Sequence, residues 1–325
     1  MLKGRHVISL ADFTKDELYL ILDTAAELKL KVKVGEPHRY LEGKTLGMIF
    51  ERPSTRTRIS FETGMTQLGG HAQFLDTEKL QLKRGEPIKD TARVMSRYVE
   101  GIMYRGGFDE LLELAKYSAV PVISAAATGR GTNHPCQALA DFQTIREKKL
   151  RFDGIKVALC WTSMDPSIDY KKPPTLCYDY MFACSRLGME LIFACPEGYD
   201  PFAQEIMDRA RREAEQNGAP IRIVRDLDEA VAGVDVIHCK NWVPVNFPDK
   251  QKPAHVLDPG KFKKWIIDQR VVDRAKRDVI VMNALPAYRG YEISDDVIEG
   301  PHSVVFDEAE NRLHAQKAVM VLTMR

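Results

Sequence analysis

An excess of charge of either sign is the first thing missing. With 47 Lys and Arg against 46 Asp and Glu, the net charge is +1. No bulk field draws such a chain to nucleic acid or to an acidic membrane surface, so arginine clusters must be read as local sites. No apolar run approaches the length that spans a bilayer, and the N-terminus lacks the pattern of a cleaved leader. The cysteines Cys136, Cys160, Cys177, Cys184, Cys195 and Cys239 include no Cys-x-x-Cys pair and lie mostly in apolar stretches. That argues against a disulfide framework or a thiolate zinc site and for reduced thiols in a cytoplasmic protein. Zinc- and calcium-ligand spacings are absent, as is a Walker loop, and Gly129-Arg130-Gly131 is too short for a nucleotide fingerprint. Neither a metal nor a cofactor is expected.

What is present is alternation. At 325 residues the chain has room for two domains, each with its own core. Thr14-Lys15-Asp16-Glu17 has the spacing of a capping box, and Leu18, Ile21, Leu22, Ala25 and Leu28 give the helix it opens an apolar stripe. Strands are expected at 46–50, 72–75, 102–104 and 120–124, with helices to about residue 68 and over 88–98, 109–117 and 134–149. Residues 76–87 are polar, with Lys, Gly and Pro, and read as a long loop of the kind that carries function. Gly154 starts a second alternation, with strands at 156–161, 189–194, 221–224, 234–239 and 279–282, helices at 175–187 and 201–216, and a last helix over 308–324. The pattern implies an α/β protein of two doubly wound parallel-sheet domains, 1–150 and 151–307. Ligands of such sheets bind at the carboxyl ends of the strands.

Those strand ends carry the residues of chemical interest. The apolar run at 46–50 stops at Pro53, and Ser54, Thr55, Arg56, Thr57 and Arg58 then alternate hydroxyls with guanidiniums at a helix start. There, free N–H groups and the positive end of the helix dipole point outward, which suits a phosphate oxygen. A Ser-Thr pair alone would be only a cap; the interleaved arginines favour an anion site. Arg105 and Arg312 would each read alone as solvated, but with Arg56 and Arg58 they outline a site for a doubly charged anion. His134, beside Pro135, reads as a cap-region histidine or as a donor to a developing oxyanion. Gln137, one turn on, can hold an amide or carbonyl. Cys136 has no nucleophile motif around it and reads as a buried structural thiol. Leu285-Pro286 follows a strand directly. A trans turn is the expected form; a cis bond, found at about 5–6% of such sites, would turn a backbone carbonyl into the crevice.

Together these segments closely resemble the aspartate/ornithine carbamoyltransferase family. The matching stretches begin with Phe-Glu-Arg-Pro-Ser-Thr-Arg-Thr-Arg-Ile-Ser-Phe-Glu at 50, Gln-Leu-Gly-Gly-His at 67, Asp-Thr-Ala-Arg-Val at 90 and Tyr-Arg-Gly at 104. They continue with His-Pro-Cys-Gln-Ala-Leu-Ala-Asp at 134, Leu-Pro-Ala-Tyr-Arg-Gly at 285 and Asp-Glu-Ala-Glu-Asn-Arg-Leu-His-Ala-Gln-Lys-Ala at 307. The resemblance implies a homotrimer with sites at subunit contacts. It implies a carbamoyl phosphate domain at 1–150 onto which the last helix, 308–325, packs back, and an amine domain at 151–307. By that likeness Ser54, Thr55, Arg56 and Thr57 hold the phosphate of carbamoyl phosphate. Arg105 and His134, assisted by Thr57, polarise the carbamoyl carbonyl, while Gln137 and the Leu285 carbonyl hold the carbamoyl NH2. Gln81 and Arg312 match further contacts, and the loop with Lys83 and Arg84 matches one that reaches a neighbouring subunit's site.

The amine side departs from the usual ornithine pattern. Where ornithine enzymes carry Asp-x-x-x-Ser-Met-Gly, this chain has Lys240-Asn241-Trp242-Val243-Pro244, which makes Lys240, Asn241 and Trp242 the expected amine contacts. His-Cys-Leu-Pro is replaced by Asn283-Ala284-Leu285-Pro286, removing a thiol partner for the amine. An asparagine-rich segment becomes Asp165-Pro166-Ser167 followed by Lys171-Lys172-Pro173-Pro174-Thr175. These stretches look more like the branch acting on acylated ornithines and other less usual amines, whose second domain is knotted; the ornithine-type scaffold is the closest overall. The implied activity is carbamoyl transfer to ornithine or a derivative, giving a citrulline-type product and phosphate. Putrescine or another diamino acid is an alternative acceptor, and the Glu-Asn-Arg-Leu-His tail disfavours aspartate. A non-catalytic, anion-binding regulatory member is the reading from another class, against which the complete phosphate and carbonyl sites argue.

Overall fold

The chain builds two parallel sheets, each the floor of its own unit. A computed structural model describes residues 2–128, 133–160, 176–197, 204–240 and 263–325. One unit comprises Met1–Gln143 and Ala309–Arg325, the other Thr144–Glu308.

In the first unit, α1 (Lys15–Lys33) opens on the expected capping box: Thr14 Oγ1 accepts from Glu17 N at 3.3 Å, and Thr14 N donates to Glu17 Oε2 at 2.9 Å. β1 (Thr45–Phe50) leads into α2 (Thr55–Gln67), and β2 (His71–Asp76) follows. α3 (Ile88–Met95), β3 (Gly101–Gly107), α4 (Phe108–Tyr117), β4 (Val122–Thr128) and α5 (Pro135–Lys149) complete the alternation. The strands are all parallel in the order β2-β1-β3-β4. β1 and β3 are central, which is why both read as nearly continuous apolar runs. β2 is an edge strand, and its alternating and exposed positions fit that place. From β1 the connections run to β2 on one side and to β3 on the other, so the switch point lies at the carboxyl ends of β1 and β3. An open sheet binds ligands in that crevice.

Two of the boundaries that differ from expectation have a local cause. β4 runs on to Thr128, because Gly106 and Gly107 of β3 pair with Ala127 and Thr128 after a register shift past Tyr104. α3 stops at Met95, where the Ser96 hydroxyl turns back onto the Ala92 carbonyl at 2.7 Å, a local bond that competes with the helix.

The second unit contains β5 (Lys156–Cys160), α6 (Cys177–Leu187), β6 (Glu190–Ala194), α7 (Gln204–Gln216), β7 (Ile221–Val224) and α8 (Leu227–Ala230). β8 (Val236–Cys239), α9 (Gln269–Val272), β9 (Ile280–Asn283) and α10 (Asp295–Ile298) follow. Its sheet is parallel in the order β7-β6-β5-β8-β9, with the switch point between β5 and β8. The last helix, α11 (Val305–Met324), begins in this unit and ends in the first. Within the first unit it packs on α2: a Cβ at Gly64 would lie 3.1 Å from Lys317 Cγ and from Met320 Cε. The proline-rich loop at 161–175, like Gly129-Arg130-Gly131, lies outside the described residues. Among the described residues no helix is long and apolar enough to cross a membrane. All six cysteines are buried, and none is in a disulfide.

Candidate active site

Ser54 takes the N-cap position of α2 with an extended backbone, but its hydroxyl makes no cap bond. It donates to Thr57 Oγ1 at 2.9 Å instead. The helix start is thereby left with N–H groups that the Ser54 hydroxyl does not satisfy, the condition for anion binding there. Thr57 is buried, Ser54 and Arg56 are half-buried, and Thr55 is exposed.

A buried network from α11 and α5 supports this turn. Arg312, 3% exposed, donates through Nη1 to Gln137 Oε1 at 2.6 Å and through Nη2 to Thr57 Oγ1 at 3.2 Å. Gln137 Nε2 donates onward to Asp141 Oδ1 at 2.7 Å. With its amide oriented to pair donors with acceptors, Gln316 accepts from Arg312 Nη2 at 2.9 Å and Nε at 3.2 Å, and donates to Ser60 Oγ at 2.6 Å. Ser60 Oγ in turn donates to the Arg56 carbonyl at 2.6 Å. The guanidinium of Arg312 is thus held by neutral oxygens on Gln137, Thr57 and Gln316.

Arg105 lies near the carboxyl end of β3, beside this network. Its Nη1 donates to the Ala125 carbonyl at 3.1 Å, and its Nε is buried with no hydrogen-bond partner among the described residues. Burial, and then the positive charges of Arg312, Arg52 and Arg56, push its guanidinium down to about 10. It stays cationic at neutral pH, so four like charges converge at the switch point. Like charges gathered in a half-buried crevice disfavour one another unless an anion sits among them. The neighbouring Glu51 is committed elsewhere, accepting from the Tyr104 hydroxyl and from Gly107 N.

His134 directly precedes α5, and its carbonyl accepts from Gln137 N at 3.0 Å and Ala138 N at 3.1 Å. Asn133, just before it, is held by two bonds. Ser124 Oγ donates to Asn133 Oδ1 at 2.9 Å, and Ala127 N donates to the Asn133 carbonyl at 3.0 Å. Cys136 is buried and donates to the Ser124 carbonyl at 3.3 Å, in keeping with a structural thiol.

Two family models cover the chain almost end to end. The aspartate/ornithine carbamoyltransferase carbamoyl-P binding domain matches residues 5–147, and the Asp/Orn binding domain of the same family matches residues 153–323. The chain belongs to the aspartate/ornithine carbamoyltransferase family. It is similar to the ornithine carbamoyltransferase of Thermococcus kodakarensis, 46% identical over 325 residues, which is 99% of this chain and 97% of that one. The solved ornithine carbamoyltransferase of Pyrococcus furiosus superposes with a TM-score of 0.89 at 43% identity, covering 99% of this chain and 98% of that one. A solved N-acetyl-L-ornithine transcarbamylase matches less closely, with a TM-score of 0.80 at 31% identity over 98% of this chain and 99% of that one.

Not every expected residue of this family member gathers at the crevice. Arg58, grouped on sequence with the anion-binding arginines, points elsewhere: its Nε donates to Glu62 Oε1 at 2.9 Å and its guanidinium lies 3.9 Å from the Phe74 ring centre. Gln81, Lys83 and Arg84 lie exposed on a short 3-10 turn, with Lys83 paired to Glu78. In the second unit, Lys240 follows β8, and its N donates to the Cys160 carbonyl at 3.1 Å. Asn241 and Trp242 lie outside the described residues. Leu285 follows β9 with φ of +41°, and its bond to Pro286 is cis rather than the expected trans. Sequence reasoning missed Arg52, Ser60 and Gln316. Gln316 was visible as a polar residue four after Arg312, one turn along the same helix face.

Proposed function

We infer that this protein transfers the carbamoyl group of carbamoyl phosphate to the amine of ornithine or an ornithine derivative. The single observation that carries the donor half is the convergence of Arg105 with Arg312, Arg56 and Arg52 at the switch point of the first sheet. A half-buried cationic crevice against a helix start fits a phosphate dianion. The names of relatives at 43–46% identity over nearly the whole chain support ornithine as acceptor.

In this reading Ser54, Thr55, Arg56 and Thr57 hold the phosphate, with Arg52 and Gln81 as further contacts. Arg105, His134 and Thr57 donate to the carbamoyl oxygen. Gln137 and the Leu285 carbonyl take the carbamoyl NH2. The neutral amine attacks the carbamoyl carbon, and its electron pair forms the new C–N bond. The oxyanion of the tetrahedral species rests on donors already in place, which act without reorganisation. Collapse breaks the C–O bond to phosphate, which leaves with that electron pair and takes up the proton that the attacking amine gives up, yielding the ureido product and hydrogen phosphate. Holding two substrates in register supplies much of the rate.

The exposed Lys83 and Arg84 are proposed to serve a neighbouring subunit in a homotrimer, and a cytoplasmic location fits six buried cysteines outside any disulfide. Lys240 is the described residue proposed for the amine side, with Asn241 and Trp242. A second acceptor, N-acetylornithine, is favoured by the Lys240-Asn241-Trp242 stretch and by the likeness to an N-acetyl-L-ornithine transcarbamylase. Radiolabelled carbamoyl phosphate offered with ornithine, N-acetylornithine, putrescine and aspartate separates these readings. A labelled ureido product with ornithine is expected. A product with N-acetylornithine alone would move the enzyme to the other branch, and no product with any amine would refute catalysis.

A further inference from the structure

We propose that Asn283 is a positioning residue that fixes the direction of the Leu285 carbonyl; this rests on the reading that the carbonyl holds the carbamoyl NH2. Asn283 ends β9 and is 1% exposed. Its backbone N donates to Glu308 Oε2 at 2.9 Å, and β8 pairs with it through Cys239, so the residue itself cannot drift. Its side-chain Oδ1 accepts from Leu285 N at 2.8 Å. That is the Asx-turn geometry, in which a side-chain oxygen captures the amide two residues on.

The captured residue needs an anchor. Leu285 has φ of +41°, a left-handed conformation that a residue with a Cβ rarely adopts. Such a conformation persists only where its surroundings over-determine it, and it marks places where the backbone does work. The far side of the loop is fastened in the same way, since Tyr288 N donates to buried Glu292 Oε1 at 2.6 Å. The segment between these two bonds contains the Leu285 carbonyl. Its direction is therefore set by an amide–amide bond local to this chain's Asn-Ala-Leu-Pro sequence.

Alanine and serine at position 283 separate positioning from bulk. They differ chiefly in one hydroxyl, which can accept from the amide two residues on. For Asn283→Ala, kcat for ureido formation should fall about 10–100-fold, the scale of a misplaced reacting group. The dissociation constant for inorganic phosphate, bound by the first unit, should stay unchanged. Asn283→Ser should recover most of the lost kcat. If the alanine variant does not fold, Asn283→Cys takes its place, since a thiol is a poor acceptor, with the same expectation. Unchanged kcat in the alanine variant, failure of serine to recover it, or parallel loss of phosphate affinity would each overturn the positioning role. An inactive wild-type protein would instead remove the underlying carbamoyl-transfer reading, a distinguishable result.

Discussion

Arg312 Nη1 donates to Gln137 Oε1 at 2.6 Å although the two residues are 175 apart in sequence. The bond ties α11 to α5 inside the first unit and aims the Gln137 amide. Replacing Gln137 with Leu keeps the bulk but leaves Arg312 and Asp141 each short of a partner. A loss of about 1–3 kcal/mol in stability is expected, the cost of unsatisfied buried polar groups. Urea unfolding checks this, and kcat for carbamoyl transfer should fall in the same variant.

Arg56→Ala tests the helix start. Its side chain is half-buried and its guanidinium is one of the charges bearing on Arg105. Hydrogen bonds to charged groups contribute about 1.5–3 kcal/mol each, so affinity for carbamoyl phosphate should fall by about two orders of magnitude with the fold intact. Calorimetric titration with phosphate and carbamoyl phosphate measures it. Retained affinity would mean that the stretch from Ser54 to Arg58 is only a helix cap.

Arg105 offers a sharper contrast. Arg105→Met should lower kcat about 100–1,000-fold, the range seen when one preorganised oxyanion donor is lost. Arg105→Lys should recover little, because a lysine keeps the charge but loses the fork that reaches both the Ala125 carbonyl and the crevice. Steady-state kinetics at saturating carbamoyl phosphate distinguishes the two.

The interior of the first unit predicts an uncommon pH response. Lys317 is fully buried, bonded to Gln67 Oε1 at 2.8 Å and to His38 Nε2 at 2.7 Å, and burial pushes its amine down to about 8. A base whose folded pKa lies below its unfolded value costs stability while it is charged. The cost is full below pH 8 and disappears as pH rises towards the ordinary lysine value of about 10.5. His314, pushed down to about 4 by burial and then by the charges of Lys317 and Lys29, adds a cost as pH falls from about 6.5 through 4. The stability of wild type minus Lys317→Met should therefore rise between pH 8 and 10.5. The same difference for His314→Met should fall between pH 6.5 and 4. Urea midpoints across pH provide both curves.

The residues legible in the sequence are those whose chemistry is local. Ser54 to Thr57 could be placed because a strand, a proline and a helical apolar pattern meet there. Arg105 and His134 could be placed because each sits at the end of its own strand or start of its own helix. Arg58 was misjudged because its partner Phe74 lies in β2, and spacing along α2 carries no information about that strand. Gln316 and Ser60 were passed over because their worth comes from meeting Arg312 in three dimensions. Strand order, and with it the switch point, depends on crossover direction rather than on any single segment. The Leu285-Pro286 bond went against the frequency of such bonds, which a pair of residues alone cannot override.

The most direct measurement is a crystal structure with a phosphonoacetyl derivative of ornithine, which joins donor and acceptor in one molecule. The phosphonate is expected at the start of α2, within hydrogen-bond reach of Ser54, Arg56 and Arg105, with the adjoining carbonyl oxygen on Arg105 and His134. A phosphonate bound away from α2, with Arg105 and Arg312 unchanged and untouched by the ligand, would contradict the assignment of this crevice to carbamoyl phosphate.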